Sequence, residues 1–267
     1  MKIWANTKTL DGYIDDLELT DNINLADIAL LGSKPIDLSK FPKLKGIFRA
    51  GVSQDNVPEE EAKKRGVKVC YPSEKTINYI YEETAAFTCY LILKMLYKDT
   101  GTLDPWVKYD RSALSTKRLL VIGKGNIGKR VIDKTEKFMI VDTYDIRENS
   151  TDELKNKIEN ADCITLHIPN VPENRCFIDK PKLDWMKTGS VLINTARGTV
   201  VSEDALYESV KNNKVKAAFD VYWKEPYEGK LKAFYPHKFE MTPHIASTCR
   251  EFLLGAAEDL KNFIQVL

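Results

Sequence analysis

The sequence predicts an α/β chain of two domains, and three observations carry that prediction. Short hydrophobic runs alternate with helical periodicity at the spacing of βαβ units, which calls for mostly parallel sheets. A polar stretch over residues 98–115, with Gly101, Asp104-Pro105 and Asp110, interrupts the alternation once. A second alternating series starts at Lys117 and runs at once into Gly123-Lys124-Gly125-Asn126-Ile127-Gly128. One domain is therefore expected over residues 1–97, completed by residues 247–267, and another over residues 98–246.

In the first series, residues 2–5, 26–31, 44–49 and 67–70 read as strands, and residues 58–65 as a helix with Pro58 in its first turn. Residues 78–97 are aromatic and aliphatic with few charges after Glu83, the pattern of a buried helix, and Ala85, Ala86 and Cys89 allow close packing. In the second series, residues 119–122, 138–144, 163–167, 191–194 and 217–221 read as strands, and residues 127–135, 151–159 and 203–212 as helices. Residues 257–266 are apolar every three or four positions and are expected to return to the first domain. Strand order cannot be read from periodicity.

Composition narrows the partners. Forty basic against 39 acidic residues leave a net charge of +1, which predicts neither nucleic acid nor an anionic membrane. No run approaches the apolar length of a spanning helix, and Met1-Lys2-Ile3-Trp4 leads into charged sequence without a signal-peptide core. The five cysteines are scattered, odd in number and without CxxC spacing, so free thiols in a reducing cytoplasm are expected and a metal site is not.

The glycine motif lies between a strand and a helix, and Asp145 ends the next strand. These are the parts of a dinucleotide site. One glycine permits the turn, one admits the pyrophosphate and one lets helix and strand approach, while the acid accepts bonds from the adenosine ribose. The helix N-terminus favours the negative pyrophosphate. Gly123, Gly125, Asn126, Ile127, Gly128 and Asp145 are thus candidate cofactor contacts. Asp145 favours NAD over NADP, and Arg147 two residues later can reach a 2′-phosphate.

Several further blocks carry a resemblance. These are Arg49-Ala50-Gly51-Val52-Ser53-Gln54-Asp55-Asn56-Val57, Leu166-His167-Ile168-Pro169, Asn194-Thr195-Ala196-Arg197-Gly198, Asp220-Val221-Tyr222, Glu225-Pro226 and Thr242-Pro243-His244-Ile245-Ala246. In this order and with these gaps the chain resembles the D-isomer-specific 2-hydroxyacid dehydrogenases, phosphoglycerate dehydrogenase among them, over nearly its whole length. The resemblance implies a Rossmann coenzyme domain, a smaller flavodoxin-like substrate domain, NAD as cofactor and a homodimer formed through the coenzyme domain.

Carried onto this sequence, the resemblance implies Arg197 as the carboxylate-binding residue, His244 as the acid/base and Glu225 as its partner. The residue chemistry agrees. An arginine fork suits the planar carboxylate of a 2-keto acid. An imidazole can give the forming alkoxide a proton and recover it in the reverse direction, and a carboxylate beside it fixes its tautomer. His167, Ile168, Pro169, Thr195, Ala196 and Asp220 match positions near the cofactor. Arg49, Ala50, Gly51 and Val52 match the loop that faces the substrate carboxylate. Arg49 hints at a phosphorylated substrate, with glyoxylate, hydroxypyruvate and bulkier keto acids open.

The chain departs from the family pattern at Tyr81-Glu82-Glu83, at Lys124 inside the glycine loop and at the bulky Trp223. An NADPH-dependent glyoxylate or hydroxypyruvate reductase is one alternative reading. An NAD(H)-binding, corepressor-like regulator with little turnover is another.

Overall fold

Four short parallel strands open the chain: β1 (Ile3–Ala5), β2 (Ile28–Leu31), β3 (Gly46–Arg49) and, after helix α1 (Glu59–Lys64), β4 (Lys68–Cys70). They lie in the order β1-β2-β3-β4. A parallel bridge between Ile3 and Leu19 adds a rudimentary strand outside β1. Counting it gives the order 2-1-3-4-5 of the flavodoxin-like fold. Every residue of β2 and β3 is buried, because a parallel sheet is covered on both faces. Ile28, Leu30 and Phe48 face one hydrophobic cluster, and Ala29, Leu31 and Ile47 face another.

Helix α2 (Glu74–Leu96) follows. The computed structural model describes all 267 residues, and its two compact units, Met1–Ile80 with Ser247–Leu267 and Tyr81–Ala246, divide inside this helix. The polar shift in composition lies later, at Tyr97–Lys98. Packing explains the difference. Thr76 belongs to the first unit, where its hydroxyl donates to Asp259 at 2.7 Å. Ala85, Leu91, Ile92 and Met95 instead share a cluster with Leu119, Val121 and Ile193. The helix also begins four residues before the apolar run suggested, since its first turn is polar.

Beyond α2, a small antiparallel hairpin, β5 (Gly101–Thr102) and β6 (Val107–Lys108), occupies the stretch that reads as loop. The second sheet then builds from β7 (Arg118–Ile122), α3 (Asn126–Thr135), β8 (Ile140–Tyr144), α4 (Thr151–Asn160), β9 (Cys163–Leu166), α5 (Lys180–Trp185), β10 (Ser190–Asn194), α6 (Glu203–Lys211), β11 (Val215–Phe219) and β12 (Phe239–Met241). Its strands are parallel in the order β8-β7-β9-β10-β11-β12. A dinucleotide domain commonly has the order 3-2-1-4-5-6. Here the outermost third strand is absent, because β8 passes through a short loop directly into α4. Ser150 and Glu153 cap that helix reciprocally. The switch in winding still falls between β7 and β9.

Helix α5 and strand β12 leave little trace in the sequence. The first is six residues starting at Lys180-Pro181 and capped by Asp179, and the second is a three-residue edge strand. The end of α2 is tied to β12 by the buried Glu240, which pairs with Lys94 at 3.0 Å.

The final helix, α7 (Arg250–Gln265), belongs to the first unit. Phe252, Leu260 and Phe263 join the cluster of Ile3, Ile28 and Phe48. At about 1.5–3 kcal/mol per large side chain fully buried, this apolar face outweighs exposed charge pairs such as Lys261–Asp16. No helix is long and apolar enough to cross a membrane.

Candidate active site

The glycine loop sits at the switch point, where a doubly wound sheet opens its crevice. Two of its glycines are required by the chain itself. Gly123 has φ +98°, and a side chain there would run into the His167 carbonyl. At Gly128 a Cβ would meet the Gly123 carbonyl, so α3 can lie against the loop only without one. Gly125 is different. Its φ is an ordinary −76°, and nothing lies within 4 Å of where its Cβ would be. The chain's own geometry does not call for glycine at Gly125, whereas a close-approaching ligand does. The first turn of α3 also has no side-chain cap, which leaves its N–H groups for an anion. The residues present therefore fit a dinucleotide pyrophosphate.

Beside the loop is a cavity of about 450 Å³, lined by residues that include Gly123, Gly125, Asp145, His167, Ile168 and Pro169. Arg147, which the sequence places within reach of a 2′-phosphate, lines it as well, together with Lys124 and with Ile146, Asn174 and Phe177, which the sequence blocks did not assign there. Asp145 is mostly buried and accepts from Arg147 Nε and Nη2 at 2.7 and 2.8 Å, and from the Lys124 N–H at 3.1 Å. The Arg147 bonds, against the opposing effect of burial, hold this carboxyl well below the ordinary carboxylate range. Burial pushes the His167 imidazole down to about 3. His167 is therefore neutral, with Nε2 3.1 Å from the Thr165 hydroxyl.

The other predicted cofactor contacts are placed differently. Asn126 is exposed at the start of α3, and Ile127 packs against the hydrophobic cluster beneath it. Thr195 lies 2.8 Å from Thr88 of α2, hydroxyl to hydroxyl. Thr88 also donates to the Thr84 carbonyl, so Thr195 is the donor between them. The Ala196 N–H donates to Asn194 Oδ1. Asp220, only 1% exposed, accepts from Thr242 Oγ1 at 2.6 Å and from the N–H groups of Ile245 and Ala246 at 2.9 Å. This carboxylate anchors the loop that carries His244.

The catalytic candidates meet around that loop. His244 Nδ1 is 2.8 Å from Glu225 Oε2 and 3.0 Å from Oε1. Glu225 also accepts from the Tyr222 N–H at 3.1 Å. Burial acts to raise the Glu225 carboxyl, but the His244 bond and charge, the Tyr222 N–H and the charge of Arg197 together bring it below the ordinary glutamate value. An ionised Glu225 can only accept, so Nδ1 of His244 is the donor and Nε2 is the nitrogen left for chemistry. His244 itself has φ +55°, an unfavourable left-handed conformation for a residue with a side chain. The bonds to Asp220 on either side of it hold that turn.

Arg197 follows β10, which aligns it with the other strand ends. Its Nη1 donates to the Ala196 carbonyl at 2.7 Å, and Asn194 Nδ2 donates to the Arg197 carbonyl at 2.9 Å. Tyr222, which the sequence blocks contained without a role, joins the end of β11 to the His244 loop. Its hydroxyl lies 2.8 and 2.9 Å from the carbonyls of Phe219 and Thr242 and accepts from the Thr242 N–H.

In the first unit, Arg49 is buried at the end of β3. Its Nε donates to Asn56 at 3.1 Å and its Nη1 to the Ala50 carbonyl at 2.6 Å. Ala50 is buried in the same loop, with Gly51 and Val52 next to it.

Comparison with known proteins agrees with this fold. The family profile described as D-isomer specific 2-hydroxyacid dehydrogenase, NAD binding domain, matches residues 98–246. The chain is 32% identical to the hydroxypyruvate reductase of Thermotoga maritima over 223 residues, which is 78% of this chain and 72% of that one. It is 33% identical to the D-3-phosphoglycerate dehydrogenase of Methanocaldococcus jannaschii over 230 residues, but spans only 44% of that protein's length. The crystal structure of D-lactate dehydrogenase from Aquifex aeolicus, complexed with NAD and lactic acid, superposes with a TM-score of 0.82 at 25% identity, covering 100% of this chain and 95% of that one. The chain thus belongs to the D-isomer specific 2-hydroxyacid dehydrogenase family, as an NAD-dependent oxidoreductase.

Proposed function

We propose that the chain interconverts a small 2-keto acid and the corresponding D-2-hydroxy acid, with Arg197, Glu225 and His244 as its catalytic residues. The observation that carries this reading is the His244–Glu225 pair: an ionised carboxylate accepts from Nδ1 and leaves Nε2 for the substrate oxygen. The nicotinamide, when bound, supplies or accepts the hydride. In reduction, Arg197 holds the substrate carboxylate through its guanidinium fork, and His244 Nε2 gives a proton to the oxygen as negative charge builds there. Glu225 steadies the cationic imidazole before transfer. In oxidation, the same nitrogen takes the proton back. Asp220 and Tyr222 keep the His244 loop in register.

An unphosphorylated keto acid is favoured, because the Arg49 side chain is buried and bonded within its own loop. The loop of Arg49, Ala50, Gly51 and Val52 remains the first unit's candidate contact for substrate. A homodimer associating through the coenzyme domain, working in the cytoplasm, completes the reading. The five unpaired cysteines agree with a reducing compartment.

The test is NADH oxidation against glyoxylate, hydroxypyruvate, pyruvate, phenylpyruvate, 2-ketoisocaproate and 3-phosphohydroxypyruvate. Turnover of one or two of the unphosphorylated acids is expected, lost in His244→Ala and Arg197→Ala proteins that still bind NADH. Firm NADH binding without turnover on any keto acid would move the chain to the regulatory class. Sedimentation of the wild-type protein tests the dimer.

A further inference from the structure

Trp223 is one of the positions where the sequence departs from the family pattern, and it takes no part in the chemistry of the catalytic candidates. Its side chain is half-buried and faces inward. The indole packs against Phe219 and Tyr227, with ring centroids 5.8 and 5.7 Å away. Its Nε1 donates to the Val201 carbonyl at 2.7 Å. That bond crosses from the loop after β11 to the loop after β10, the two loops that carry Glu225 and Arg197.

The sheet leaves these loops without a ladder. Strands β10 and β11 pair residue by residue up to Asn194 and Phe219, and the Asp220 N–H still donates to the Asn194 carbonyl. Beyond that point two further contacts join the chains. At Gly198 a Cβ would run into the Tyr222 carbonyl and the Trp223 nitrogen, so backbone lies directly on backbone. Three residues on, the indole bonds to Val201, whose own N–H donates to the Gly198 carbonyl at 3.1 Å. On the side of β11, the Tyr222 N–H donates to Glu225, which accepts in turn from His244.

We propose that Trp223 is a positioning residue: its indole N–H fastens the Arg197 loop to the Glu225 loop and fixes the spacing between the guanidinium and the acid/base imidazole. Trp223 has this role only if Arg197, Glu225 and His244 are the catalytic residues, the reading on which the proposal rests. In a 2-keto acid a single C–C bond separates the carboxylate from the ketone. The group that grips the first and the group that protonates the second must therefore keep one spacing, to within about 0.5 Å. Glycine at position 198 permits the close approach, and Trp223 secures it. A phenylalanine in place of Trp223 would fill much of the same hydrophobic space but make no bond to Val201.

The experiment compares Trp223→Phe with Tyr227→Phe, assayed by NADH oxidation with the keto acid that the wild type turns over. Tyr227 belongs to the same aromatic cluster, but its hydroxyl donates to Glu203 of α6 at 2.7 Å and does not reach the Arg197 loop. Each variant keeps an aromatic ring and loses a polar contact, so both should lose stability in urea and keep wild-type NADH affinity. In Trp223→Phe, kcat should fall at least about tenfold, less than the roughly 100-fold that a misplacement of about 1 Å can cost. KM should stay within about threefold, because alignment is lost while each loop still meets its own part of the substrate. In Tyr227→Phe both constants should stay within about twofold. Trp223→Met, which fills the space without a donor, gives the same readings should Trp223→Phe not fold. A wild-type kcat without the indole, or equal losses of kcat at the two positions, overturns the inference and leaves the catalytic residues in place. A wild-type protein that binds NADH and turns over no keto acid overturns both.

Discussion

Glu225 meets His244 with both carboxylate oxygens, at 2.8 and 3.0 Å from Nδ1, across 19 residues of chain. The contact determines which imidazole nitrogen is available, because an ionised carboxylate accepts and cannot donate. It also aligns the ring, since the pair of acceptors resists tilting about the Nδ1–H bond.

Replacing Glu225 with Gln keeps the size of the side chain but offers one oxygen where two were present. We expect turnover to fall about 100-fold, the low end of what a positioned proton donor supplies, with NADH affinity little changed. Steady-state kinetics beside a fluorescence titration will measure it. Turnover within twofold of wild type would remove Glu225 from the mechanism.

Asp220 supports the same histidine from below. An Asp220→Asn protein keeps one acceptor oxygen and places an NH2 group against a former donor, either the Thr242 hydroxyl or a backbone N–H. The expected cost is about 1.5–3 kcal/mol of stability in urea unfolding, as for a bond to a charged group. Turnover should fall too, because His244 then loses the support for its left-handed backbone. Unchanged stability with lost activity would instead assign Asp220 to the cofactor.

The glycines of the loop separate folding from binding. Gly123→Ala places a side chain at φ +98° against the His167 carbonyl and should cost at least about 1–3 kcal/mol in thermal or chemical denaturation. Gly125→Ala has room and ordinary backbone geometry, so it should fold with near wild-type stability. Its NADH affinity should nevertheless drop at least about tenfold, if the missing Cβ makes room for the pyrophosphate. Wild-type affinity in the folded Gly125→Ala protein would contradict that placement.

His167 predicts a pH dependence of stability. Its folded value, lowered by burial to about 3, lies below the ordinary 6.5. Between these values the unfolded chain binds a proton that the folded chain does not, so stability falls as the pH is lowered. The contribution is fully present above about 6.5 and declines by at most about 1.4 kcal/mol per pH unit below it. Urea unfolding near neutrality and near pH 4.5 should show a smaller acid loss in His167→Asn than in the wild type. Equal losses in the two proteins would show that the imidazole takes up its proton without unfolding.

The sequence by itself determined the local order of this protein: alternating strands and helices, a glycine loop between β7 and α3, an acid at the end of β8, and family blocks spaced along the chain. These are legible because periodicity, turn chemistry and motif spacing act over a few residues. Tertiary structure decided which groups meet. Asp220 lies beside the blocks assigned to the cofactor, yet packing of β11 beside β12 brings the His244 loop onto its oxygens. Thr195 bonds to Thr88, 107 residues earlier. Arg147 is two residues from Asp145, and only the turn after β8 shows its fork closed on that acid. The loss of the third strand and the division inside α2 likewise follow from packing. A side chain's partner depends on which strands adjoin and which faces are covered, and those choices minimise a free energy summed over the whole fold.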